Sequence, residues 1–288
     1  MRYFFFLLSF VFIHSSFTQI TYSPASAKDN YFWQEFHKPF PVSKNPADNE
    51  VRSITADSGS DVWIATATGV FRKKKEGFAW EKINTGNDNG PAYAVISDST
   101  SGIWTGTWNG VFHFQNNRLV KIEGTEGPVS VLCSSKEGIY AFGPKGVWLC
   151  KTNLFERKDY PIARSVRNAI SDNHGGVWVT SDVGLYHCTP GSIKYFKETD
   201  ILLSAYLKDL AVDTKNQLWI GGLGGVSVLL GDKKQQFLKP SDGIPSIYVN
   251  TVQRSPDNLM WVGTDVGIVR YSPDGSHSLR FGRRWLLD

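Results

Sequence analysis

The chain has 288 residues, a formal net charge of +4 and ten tryptophans, with 41% hydrophobic and 20% charged residues. That apolar and aromatic content excludes a disordered chain. The positive charge is spread along the sequence, its densest run being Arg72 to Lys75, which excludes the clustered basic patch of a nucleic-acid binder.

At the N-terminus, Arg2 precedes an apolar run from Tyr3 to Ile13, the layout of a secretory signal peptide. The run is shorter than the roughly 20 residues that cross a bilayer. Residues 1–18 therefore read as a signal peptide, with cleavage as late as residue 27, and residues 28–288 as a periplasmic or secreted domain with no membrane span. Three cysteines in an exported chain cannot form a fully paired framework. Cys133 and Cys150 fall two strands apart in one unit, about 9.5 Å, beyond disulfide reach. The expectation is free, buried thiols.

From residue 51 onward one phrase recurs six times, as in "DSTSGIWTGTWNGVF" from Asp98 and "DNHGGVWVTSDVGLY" from Asp172. Its aromatic anchors are Trp63, Trp104, Tyr140, Trp178, Trp219 and Trp261, spaced 36 to 42 residues apart. A period near 40 with several short strands per unit indicates a β-propeller blade. In the fourth copy "VRNAIS" is an inner strand, "DNHGG" a turn, "VWVTS" the second strand and "LYHC" the third. A turn at Gly184 joins the second strand to the third, and "SIKYFKE" is the polar outer strand. Asp and Gly make the first turn through side-chain hydrogen bonding and positive φ, and the Trp fills the wedge between sheets. The predicted fold is all-β, a propeller of four-stranded blades starting near residues 51, 92, 129, 166, 207 and 249.

"WTGT" from Trp104, "WIGG" from Trp219 and "WVGT" from Trp261 carry a family resemblance. The units resemble the two-component regulator propeller repeat over roughly residues 50 to 275, with the third copy degenerate at Tyr140 and "AFGP". That resemblance implies a periplasmic sensor module responding to glycan fragments. Ring closure is a separate matter. "FWQEFHKPF", starting at Phe32, reads as an outer strand without inner partners, and "SHSLRFG" already supplies an outer strand for the sixth copy. The expectation is a chain truncated at its C-terminus, its six repeats belonging to a seven-bladed ring.

In propellers of this strand order, ligands meet the face built by the loops between second and third strands and by the connections between blades. The first class offers Trp108, Lys145 and Asp182; the second offers Tyr160, Arg164 and Tyr206, along with Asn87 and Asp88. Aromatic rings with cationic neighbours suit a carbohydrate bearing a uronate or sulfate. Trp108 stands out because other copies carry Ala67, Pro144, Asp182, Leu223 or Asp265 at that place. No metalloprotease, nucleophile-elbow or phosphate-loop motif occurs, and no catalytic residue, metal ligand or cofactor is assigned. His113 and His187 take equivalent third-strand places, which repeat geometry keeps apart. The sequence thus points to a sensor-like module binding a glycan or other small extracellular ligand, a protein partner being a further option. The alternatives are a propeller-type polysaccharide lyase or glycosidase and a scaffold fused to a further domain.

Overall fold

The computed structural model describes residues 40–85, 90–98, 100, 102–162, 165–197, 201–272 and 278–282, the last stretch as a strand only. The signal peptide, segment 32–39, Asn87, Asp88, Arg164 and the final "RRWLLD" lie outside them.

The described residues form six antiparallel sheets of four strands, each sheet running in chain order from inner to outer strand. The inner strands are Val51–Ala56, Ala92–Ser97, Val131–Ser135, Val166–Ser171, Leu207–Val212 and Val249–Arg254. No helix is long and apolar enough to cross a membrane among the described residues. This is the expected all-β propeller of four-stranded blades; no seventh blade occurs among the described residues.

The repeated Asp and the repeated Trp are bonded to each other. In blades 1, 2 and 5 one carboxylate oxygen accepts the indole N–H six residues on, at 2.9 Å for Asp57 and Trp63, 2.7 Å for Asp98 and Trp104, and 3.0 Å for Asp213 and Trp219. The other oxygen accepts the backbone N–H four residues on, from Asp61, Gly102 and Gln217. One side chain therefore shapes the turn and satisfies a buried donor, which fixes the six-residue spacing. Blade 4 varies the device. Asp172 binds the Gly176 N–H at 2.8 Å and His187 Nε2 at 2.9 Å, while His187 stacks on Trp178 at 3.9 Å. The second turn needs glycine for its backbone, Gly184 having φ 146°.

Apolar packing is strictly between neighbours. Five buried clusters occupy the interfaces of blades 1 and 2, 2 and 3, 3 and 4, 4 and 5, and 5 and 6. Each holds the anchor of its leading blade: Trp63, Trp104, Tyr140, Trp178 and Trp219. Blades 6 and 1 share no such cluster among the described residues. Trp261 is only half-buried, and Ile54 is 66% exposed although Val95, Leu132, Ala169, Leu210 and Val252, at the same place in the other inner strands, are buried. The two surfaces that would meet there lack the covering their counterparts have.

Cys133, Cys150 and Cys188 are free and buried, as expected. Cys133 packs between blades 3 and 4 and Cys150 between blades 2 and 3, so they face opposite sides of one sheet.

Candidate functional site

Every inner strand begins on the loop face. In five of them the pairing register shifts across the second residue, which is Arg52, Tyr93, Arg167, Lys208 or Asn250. A bulge of this kind leaves one residue outside the ladder and frees its side chain from the alternation of the strand. In blade 3, Ser130 stands at the same place between buried Val129 and Val131. All six residues line one cavity of about 310 Å³, the mouth of the central channel.

Three of the six are cations. The Arg52 guanidinium pairs with Glu50 at 2.7 Å and lies over the Tyr93 ring at 5.1 Å. Arg167 pairs with Asp182 at 3.3 Å. Lys208 lies over the Tyr206 ring at 5.1 Å and has no ion-pair partner among the described residues. Asp209, on the same rim, accepts from the Asn168 side chain, from Leu210 N at 2.8 Å, from Thr251 Oγ1 at 2.7 Å and from Val252 N at 2.9 Å. Those bonds occupy its acceptor sites and tie blades 4, 5 and 6 together. The mouth therefore presents the N–H donors of three cations, two of them paired with Glu50 and Asp182, while its own carboxylate, Asp209, is taken up by the scaffold.

Ile96 and Leu132 line both this mouth and a cavity of about 630 Å³ on the opposite face, and so form the waist of the channel. The opposite opening is lined by Ser97, Ser134, Asn173 and Asn216, with one cation, Arg254, and one carboxylate, Asp213.

The structure sorts the sequence candidates into three places. Asp182 and Tyr206 support the mouth by contacting Arg167 and Lys208. Lys145 and Tyr160 line a second loop-face cavity of about 500 Å³ between blades 3 and 4. Trp108 stands apart, 45% exposed, with its backbone N–H donating to Pro91 O at 3.0 Å. Its ring rests on Gly90, where a Cβ would collide with the indole, so part of this side chain is packing. Arg164 lies outside the described residues. The sequence reading passed over the mouth residues themselves, although a cation directly after the first apolar residue in "VRS", "VRN" and "LKD" marks them.

The strand histidines are part of the architecture. His113 stacks on Trp104 at 4.1 Å, and burial pushes its pKa down although Asp98 opposes this. No group of His, Cys, Asp and Glu suited to a metal ion occurs among the described residues.

No family model matches the chain, and none of the curated proteins matches it. Solved propellers do. A virginiamycin B lyase from Staphylococcus aureus is similar with a TM-score of 0.68 at 12% identity, over 84% of this chain and 86% of that one. The WD40 propeller domain of Doa1 aligns with a TM-score of 0.58 at 13% identity, over 76% and 77%. The extracellular domain of a protein described as a hybrid two-component system, from B. thetaiotaomicron, aligns with a TM-score of 0.46 at 14% identity, over 82% of this chain and 42% of that one. The chain thus spans about two fifths of that domain. The first two likenesses, with the six four-stranded sheets, define the class of the molecule as a β-propeller.

Proposed function

We propose that the chain is an exported ligand-binding propeller, a sensor-like module that recognises an anionic carbohydrate at the loop-face mouth. The observation that supports this reading is the convergence of Arg52, Arg167 and Lys208, with Tyr93 and Asn250, on one cavity. Guanidinium and ammonium groups bind carboxylate or sulfate oxygens, amide and hydroxyl groups bind sugar hydroxyls, and Tyr93 offers a ring for the sugar face. The two-component assignment rests on the repeat phrase alone, and the seven-bladed ring on the uncovered surfaces of blades 1 and 6.

Calorimetric titration of the mature chain with uronate and sulfated oligosaccharides, beside neutral ones of equal length, tests the reading. Binding confined to the anionic set and lost in Arg167→Ala and Lys208→Ala supports it. Equal binding of neutral sugars, or binding indifferent to both substitutions, overturns it.

A further inference from the structure

The cavity between blades 3 and 4 is built where the repeat degenerates. Its floor is apolar, from Val147, Ile162 and Val166, and its walls carry Lys145, Arg157 and Tyr160. Neither Lys145 nor Arg157 makes an ion pair among the described residues. Arg157 instead donates to the Lys145 carbonyl at 3.3 Å, which ties the Arg157 side chain to the Lys145 backbone at one rim. The single carboxylate in the lining is Glu126.

This cavity adjoins the channel mouth through one strand. Val166 lines the first and Arg167, the next residue, lines the second, so about one Cα step of 3.8 Å separates their walls. Lys145 and Arg157 on one side of that strand, with Arg167 and Lys208 on the other, make a cationic track across the loop face. A monosaccharide fills one cavity and leaves the other empty.

We propose that the ligand is an oligosaccharide with recurring anionic groups, one unit seated in the channel mouth and a neighbouring unit between blades 3 and 4, where Lys145 and Arg157 meet its carboxylate or sulfate. This rests on the reading of the mouth as an anionic carbohydrate site. Linking two weak sites through one ligand raises affinity without new contacts at either.

The experiment is calorimetric titration of the mature chain with galacturonate oligomers and chondroitin sulfate oligomers of one to six units. Circular dichroism checks that each variant is folded. In the wild type, affinity rises about tenfold or more between the single unit and the shortest oligomer reaching both cavities, then levels off. In Lys145→Ala/Arg157→Ala that gain disappears while single-unit binding is unchanged. Either series behaving so supports the proposal. A length dependence that survives the double substitution overturns the second site, as does anionic binding that depends on Arg167 but not on length; the mouth reading then stands. Absence of binding in both series overturns both readings.

Discussion

The Arg167 guanidinium at the channel mouth lies 3.3 Å from the Asp182 carboxylate, which belongs to the second turn of the same blade. Asp182 also accepts from Ser165. It both orients the arginine and offsets its charge. Asp182→Asn keeps an oxygen for Arg167 and removes the negative charge. Affinity for an anionic oligosaccharide should then rise about two- to fivefold at low ionic strength, with the gain shrinking as salt screens it. A titration at two salt concentrations reads this out, and a fall in affinity at low salt would show that Asp182 acts chiefly by holding Arg167 in place.

Trp219 and Trp261 occupy equivalent repeat positions in different surroundings. Trp219 is fully buried between blades 5 and 6 and Trp261 is half-buried. Trp219→Ala should destabilise the domain by about 3 to 5 kcal/mol, and Trp178→Ala likewise, whereas Trp261→Ala should cost less than about 2 kcal/mol. Denaturant unfolding compares them directly. Equal losses would mean that the outer side of blade 6 is as well covered as the others.

How far the sequence carries can be judged on these residues. The Asp, Gly and Trp of the recurring phrase announce turn, wedge and blade period, because each acts within about ten residues of itself. The bond between Asp57 and Trp63 was also implicit in their constant spacing, yet it became visible only when both side chains had a position. The mouth was hidden for a different reason. Arg52, Arg167 and Lys208 lie far apart in the chain, and each reads locally as an ordinary polar residue in a half-buried strand. Their convergence depends on the ring and on the bulges, and the cation after the first apolar residue of "VRS", "VRN" and "LKD" marks each position without showing what it faces. Trp108, the most conspicuous sequence candidate, is seated on Gly90 and lines none of the three cavities described.

Acid stability should follow the turn aspartates. Partial burial pulls Asp98 and Asp172 upward, but hydrogen bonds outweigh it and leave both below the ordinary value of 3.8. For Asp98 these come from Trp104, Thr100 and Gly102, and for Asp172 from His187, His174 and Gly176. A carboxylate depressed in the folded state contributes stability that is complete above its unfolded pKa and lost as pH falls through the folded one. Asp98→Asn and Asp172→Asn should therefore lower stability at neutral pH and flatten its decline as pH falls below about 4. Variants whose acid decline parallels the wild type would remove these two residues from the account.

The thiols provide a probe of the folded state. Burial pushes Cys133 and Cys188 up to about 12 and raises Cys150 as well. Without thiolate or exposure they should resist a disulfide reagent in the native domain and react together in denaturant. Fast labelling of any one under native conditions would place it on a locally opening segment.

The register shift at the second residue of an inner strand separates what the channel mouth displays from what the blades require. Each bulged side chain stands outside the ladder, and the set of residues already present, Arg, Tyr, Arg, Lys and Asn, shows that the position accepts unlike chemistries on one backbone. Such a ring is a keyboard of interchangeable positions. A new specificity could be composed on it by changing a few single residues, with the stacking of the sheets left as it was.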